Sequence, residues 1–235
     1  MKKIIVIVYL IVILVVNAHS QKTAVGIFYK SHTSKPYIRK GTQVNNDREF
    51  KENPQRFISP MPGNCFEVYV IRTFNNYLKV SMGIAYSTYS TRITNIGIYP
   101  PPVSKIFLTV INTVKYSYIS FPLRVVGSMP INKYFSLSGS IDWSYCRLLK
   151  SYYDLYYYDY NLPPPYRDEG DWTKNEPKYN QLLGYDLGGV IKLNDKLKLS
   201  FNYQKSYFKG YNYWLQSTPL KSSGVSIGLE YQFEK

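Results

Sequence analysis

One histidine, His32, lies beyond the first twenty residues, and it limits the chemistry open to the chain. A Ser–His or Asp–His hydrolase would depend on that residue alone, and metal sites built from several histidines are excluded. No motif surrounds His32, which reads as a solvated residue in or beside a long loop. Glu67, Asp142, Asp186 and Glu230, together with Lys79, Arg124, Lys192 and Lys198, are the charged groups whose placement matters most. Carboxylates among them could pair as acid and base or pass protons. They could also serve as fixed ion pairs. Cys65 and Cys146 are the two thiols. Asp168, Glu169 and Asp171 form an acidic run without the ligand spacing of a recognisable Ca²⁺ loop. The same region holds Tyr152, Tyr153, Tyr156, Tyr157, Tyr158, Tyr160, Tyr166 and Trp172, a concentration that suits a binding surface, since Tyr gives contact area at low entropic cost. Nothing in these patterns calls for a cofactor or a resident metal.

The first twenty residues set the compartment. Lys2 and Lys3 precede an apolar run from Ile4 to Val16, and Ala18-His19-Ser20 places small residues ahead of a cleavage point before Gln21. The run is shorter than the roughly 20 residues a membrane-spanning helix needs. Residues 1–20 are therefore expected to be a cleaved signal peptide, and 21–235 one exported domain. The formal charge of the chain is +14, and loss of Lys2 and Lys3 leaves +12. An exported protein with dispersed charge is not expected to bind nucleic acid. Anionic lipid headgroups are the better match. The 26 Tyr, 11 Phe and 3 Trp are residues of membrane interfaces, where one side of a ring is apolar and the other wet.

What must position the charged groups is a set of strands. Alternation with period two recurs near Val25–Tyr29, Phe66–Arg72, Leu78–Ser87, Tyr116–Val126, Phe135–Tyr145, Leu183–Lys192, Leu197–Gln204 and Val225–Phe233. Each presents Leu, Ile, Val and aromatics on one side and mainly Ser, Gly, Ala and Asn on the other. A soluble lipocalin-like barrel would reverse this, with an apolar interior and long polar side chains outside. Asn75-Asn76, the stretch Gly127 to Asn132 and Asn194-Asp195 read as short turns. The long connections are 32–63, 90–112, 149–180 and 209–221. Short turns alternating with long loops predict an all-β, eight-stranded antiparallel up-and-down transmembrane β-barrel in a Gram-negative outer membrane. Its turns and both termini would face the periplasm, and its loops would lie outside. A bilayer requires the sheet to close, so the last strand should pair with the first.

This plan assigns the charged groups. Glu67, Lys79, Arg124, Asp142, Asp186, Lys192, Lys198 and Glu230 share inward parity, and an eight-stranded interior is just wide enough for side chains to fill. Unpaired buried charge is costly, so the expectation is a lumen plugged by ion pairs. A bridge between Cys65 and Cys146 would have to cross about 15 Å of lumen, given strands about 4.8 Å apart and tilted about 45°. Disulfide Cα atoms stand only about 4.4–6.8 Å apart, so geometry argues against it. Pro122 within a strand predicts a bulge. Part of 149–180 could instead extend the two adjoining strands above the membrane, since alternation can be traced from Tyr153 through Tyr157.

Tyr118-Ile119-Ser120-Phe121-Pro122-Leu123-Arg124-Val125 resembles the aromatic-x-x-apolar-Pro-Leu segment of the PorT-like outer-membrane β-barrel family. Gly228-Leu229-Glu230-Tyr231-Gln232-Phe233 is similar to the terminal strand read by the barrel-assembly machinery, although Glu234 and Lys235 follow the Phe. The resemblance implies a fold, a membrane and that assembly partner. It also implies that one branch of the family serves protein secretion, and it supplies no catalytic residues.

The function expected is a non-enzymatic outer-membrane barrel with a plugged lumen, a surface or structural role, and an extracellular or envelope protein partner bound through its loops. An accessory of secretion or envelope assembly is the alternative. Small-solute passage is a third class, which conductance would distinguish.

Overall fold

The computed structural model describes residues 22–36, 58–98, 107–159, 162–171, 173, 179–208 and 220–233. The expected leader, residues 1–20, lies outside them. Nine strands follow in order: β1 Lys22–Pro36, β2 Ile58–Thr73, β3 Leu78–Ile98, β4 Phe107–Pro130, β5 Phe135–Asp159, β6 Leu162–Asp171, β7 Tyr179–Lys192, β8 Leu197–Phe208 and β9 Leu220–Gln232. Eight of them close into an antiparallel barrel, in which β4 pairs with β5 and β1 pairs with β9. Closure leaves no sheet edge in the wall, as a hydrocarbon environment demands. The ninth, β6, stands outside the barrel and pairs with the upper part of β5.

Alternation sets the wall. In β7 every second side chain is buried, from Asn180 through Asp186, while Leu183, Tyr185, Leu187 and Ile191 face outward. Ile141, Leu187 and Val225 are each about two-thirds exposed on the outer surface. Apolar exposure on that scale over a whole circumference fits lipid, not water. Aromatic rings bound the band. Tyr29, Phe66 and Tyr86 are cross-strand neighbours toward one rim, as are Phe121 and Tyr145. Tyr77, Tyr134, Tyr231 and Phe233 are exposed toward the other. These are the girdles expected at membrane interfaces.

The three short turns share one construction. Asn75 Oδ1 accepts from the backbone N–H of Tyr77 and Leu78, Asn132 Oδ1 from Tyr134 and Phe135, and Asn194 Oδ1 from Lys196 and Leu197, all at 2.8–2.9 Å. In each case an asparagine side chain replaces a ladder partner where the chain reverses. The middle turn therefore occupies residues 131–134 and not Gly127 to Asn132, because β4 stays paired as far as Pro130.

Two further expectations are corrected. Pro122 does not create a bulge: the β3–β4 pairing skips Gly83 and Ile84 opposite it and resumes in the same register. The register shift in the β4–β5 ladder lies between Ser117 and Tyr118, where Leu149 is the extra residue of β5. The long connections are also shorter than expected. Strands β3, β4 and β5 run 21, 24 and 25 residues, well into 90–112 and 149–180. Cross-strand pairing above the bilayer satisfies backbone groups that a loop would leave to water.

Candidate functional site

At mid-height the lumen is organised around Arg124 on β4. Its Nη1 donates to Glu67 Oε1 at 2.8 Å, and its Nη2 makes a second contact with Glu67 Oε2. Nε lies 3.0 Å from Asp142 Oδ1, an ion pair without hydrogen-bond alignment. Gln204 Nε2 donates to Asp142 Oδ2 at 2.6 Å. The Ser140 hydroxyl stands 2.9 Å from Asp142 Oδ1 and 2.6 Å from Asp186 Oδ2, bridging the two carboxylates. The guanidinium lies over the Phe28 ring at 4.9 Å and near the Tyr69 ring at 5.9 Å, and Tyr69 donates to Glu230 at 3.3 Å. Glu67 and Asp142 are only 1% exposed. Burial on this scale is tolerable because each carboxylate meets a cation or donor.

Of the eight lumen residues named from sequence, the structure thus gathers Glu67, Arg124, Asp142 and Asp186 into one cluster, with Glu230 beside it. Lys79, Lys192 and Lys198 are elsewhere, at the turn end. Lys192 pairs with Asp195 of the adjoining turn at 2.6 Å, and Lys198 donates to Gln232 at 3.1 Å. The Lys192 ammonium holds the Asp195 carboxyl below its ordinary range. Sequence reasoning missed Phe28, Lys30, Tyr69 and Gln204. The signal for the first two was the inward parity of β1, which continues from Phe28 through Lys30 and His32 to Ser34.

His32 is accordingly not a loop residue. It is 3% exposed inside the barrel, with its ring centroid 4.8 Å from that of Tyr89. Lys30, and not a carboxylate, is its charged neighbour, which is the wrong sign for an Asp–His pair. Tyr89 packs on Tyr118 and Phe208, and Tyr118 meets Phe208 edge-on at 4.8 Å. With Tyr116, Leu148, Leu182 and Cys146 these rings fill the lumen above Arg124. Cys65 and Cys146 are free thiols.

Above the barrel, β3 to β6 continue as a four-stranded sheet. Tyr152, Tyr153, Tyr156, Tyr157 and Tyr158 belong to β5 and Tyr166 to β6, so this part of 149–180 is a hairpin and not a loop. Tyr160 and Trp172 lie outside the described residues. On one face Arg167 binds Asp154 through two hydrogen bonds of 3.0 and 3.2 Å, pairs with Glu169 at 2.8 Å, and covers the Tyr156 ring at 5.2 Å. Hydrogen bonding to Glu169 pushes the Tyr152 phenol up to about 12. On the other face Tyr153 lies against Gly170, where a side chain would collide with the ring. The three side chains of the acidic run do not converge on one point. Asp168 faces Tyr153, Glu169 faces Arg167 and Asp171 caps Thr173. Among the described residues no three metal-ligating side chains converge.

A closed eight-stranded wall with a lipid-facing surface identifies the kind of protein. The family described as outer membrane protein beta-barrel domain matches residues 9–233. The chain belongs to that family. Comparison with curated proteins by sequence returns no match. Among solved structures, Neisserial surface protein A is similar at 11% identity and a TM-score of 0.43, covering 89% of this chain and 99% of its own. OprG from Pseudomonas aeruginosa is similar at 10% identity and a TM-score of 0.42, covering 91% and 97%. The attachment invasion locus protein Ail of Yersinia pestis has 14% identity and a TM-score of 0.35, covering 89% and 99%.

Proposed function

We propose that this outer-membrane barrel is a non-enzymatic surface protein whose lumen is stoppered and which meets an extracellular or envelope protein through the sheet above its rim. The observation that carries the reading is a lumen blocked twice over, by the Arg124 cluster and by the aromatic layer, beneath a folded sheet that the barrel has no need of for closure. Between these layers lies a hollow of about 30 Å³, and a second of about 40 Å³ lies on the turn side of Arg124, each with room for a water or two. We assign the turns and both termini to the periplasm, since the long strands rise at the other end, and residues 1–20 to a signal peptide of a Gram-negative exporter. Tyr118 to Val125 supports placement in the PorT-like branch, and Gly228 to Phe233 supports recognition by the barrel-assembly machinery.

Planar-bilayer recording of the purified barrel should give no stable conductance, and steady channels would overturn the stoppered reading. Replacing residues 154–171 by a short Gly-Ser linker should preserve heat-modifiable migration on gels while abolishing partner capture by intact cells. Loss of migration in that variant would show that the hairpin is structural and remove the support for a binding sheet.

A further inference from the structure

The turn end of the lumen opens into a cavity of about 800 Å³, lined by Lys22, Lys79, Lys133, Lys192 and Lys198. Asp195 is the one carboxylate among the described residues of its wall. The volume falls within the roughly 300–1,000 Å³ of small-ligand sites. Its charges are poorly matched internally. Lys192 has Asp195, Lys198 donates to the neutral Gln232 and lies opposite Glu230 in the ladder without a salt bridge to it, and Lys133 lies 4.8 Å from the ring of Tyr134. Lys79 is 8% exposed, and among the described residues it has no hydrogen bond or ion pair. Lys192 and Lys198 are direct cross-strand partners, and Lys79 and Lys22 also repel Lys198, with Glu230 alone acting in the opposite sense. Like charges opposed in a ladder are destabilising. Five positive charges thus converge on a cavity open to solvent, against Asp195 in its described wall and Glu230 beneath Lys198.

We propose that this mouth binds a phosphate-bearing polyanion, with Lys79 and Lys198 donating to it at the floor and Lys22 and Lys133 at the rim. The lining contains lysine and no arginine. Lysine binds phosphate as a point charge, and ammonium groups converging from several sides can meet the several oxygens of a polyphosphate at once. Thr73, Ser128 and Ser136 add hydroxyls to the same wall. A bound polyanion relieves the repulsion between Lys192 and Lys198, so binding and barrel stability are linked. The anion is either a soluble polyphosphate or the headgroup of an anionic phospholipid in the adjoining leaflet. Either orientation of the barrel leaves this chemistry unchanged.

The test is calorimetric titration of tripolyphosphate into the mature barrel in phosphatidylcholine nanodiscs, each variant first checked for heat-modifiable migration. Saturable binding is expected, weakened roughly tenfold by Lys79→Gln and again by Lys198→Gln, as loss of a charged hydrogen bond implies. It should survive Lys79→Arg and be unchanged by Lys150→Gln, an exposed lysine on β5 toward the opposite end. Lys133→Gln, in a turn outside the ladder, supplies the same reading should Lys79→Gln fail to fold. Added phosphatidylglycerol that competes with tripolyphosphate in the wild type, but not in Lys79→Gln, supports the site with lipid as its source. Equal affinity in the two lipids supports it with a soluble anion. Absence of saturable binding, equal affinity in the wild type and the lysine variants, or equal weakening by Lys150→Gln would overturn it.

Discussion

Mid-lumen and mouth are built from the same inward-facing positions, yet they treat charge in opposite ways. Around Arg124 the carboxylates Glu67, Asp142 and Asp186 each meet a partner within about 3 Å, and these groups are sealed from water. At the turn end five lysines share an open cavity whose described wall holds one carboxylate, Asp195. The lesson is that depth, not parity, decides what a lumen position must do. A charge sealed in low dielectric needs a partner to remain there, whereas a charge at the mouth can leave its balance to solvent or to a ligand.

Arg124→Ala should break this contrast most severely. It strands Glu67 and Asp142 in the sealed layer and should cost about 3–5 kcal/mol of unfolding free energy in urea. Lys79→Met should cost almost nothing. Equal losses at the two positions would remove the distinction. Next in size, Tyr118→Ala empties the aromatic layer and should cost roughly 3 kcal/mol. It should leave planar-bilayer conductance at baseline, because the Arg124 cluster still closes the lumen. Lys192→Gln relieves the opposition to Lys198 but forfeits Asp195, so a shift within about 1 kcal/mol is expected. Lys198→Gln keeps the Asp195 pair, and the denaturation midpoint should rise slightly relative to Lys192→Gln. The smallest effect is titratable. Because Asp195 has a lowered carboxyl in the folded barrel, its contribution is present above the ordinary aspartate range and lost as pH falls through the lowered value. Asp195→Asn should flatten that part of the acid-unfolding profile.

Much of the wall was legible in the sequence. The eight barrel segments, the faces of Leu183 to Ile191 and Leu197 to Tyr203, and the Asn75 and Asn194 turns follow from alternation and turn chemistry, which are local. Glu67, Arg124, Asp142 and Asp186 were assigned to the lumen for the same reason. What alternation cannot convey is height along the axis, which depends on strand tilt and register between distant segments. Hence Lys192 and Lys198 were grouped with Asp142, although the ladder places them at the mouth. Hence also His32 was read as a loop residue: its alternation continues β1, but Ser31 and Thr33 on the outer side are not apolar enough to signal a wall. The upper β5–β6 hairpin was obscured by Pro163-Pro164-Pro165, which usually argues against a strand. Pairing to β5 holds β6 in place, and β6 is an edge strand, where proline is tolerated.

The unequal strand lengths bear on what a large probe can reach. Strand β5 continues for twelve residues beyond Arg147, its last residue paired to β7. At about 3.3 Å per residue and a tilt near 45°, that is about 40 Å of strand and roughly 28 Å of height. The projection is comparable to the hydrocarbon thickness of a bilayer, about 30 Å. Among the described residues it rises on the β3 to β6 side. With this end outside, as we propose, the β5–β6 ridge would be within reach of an antibody or phage fibre held away from the lipid by surface polysaccharide.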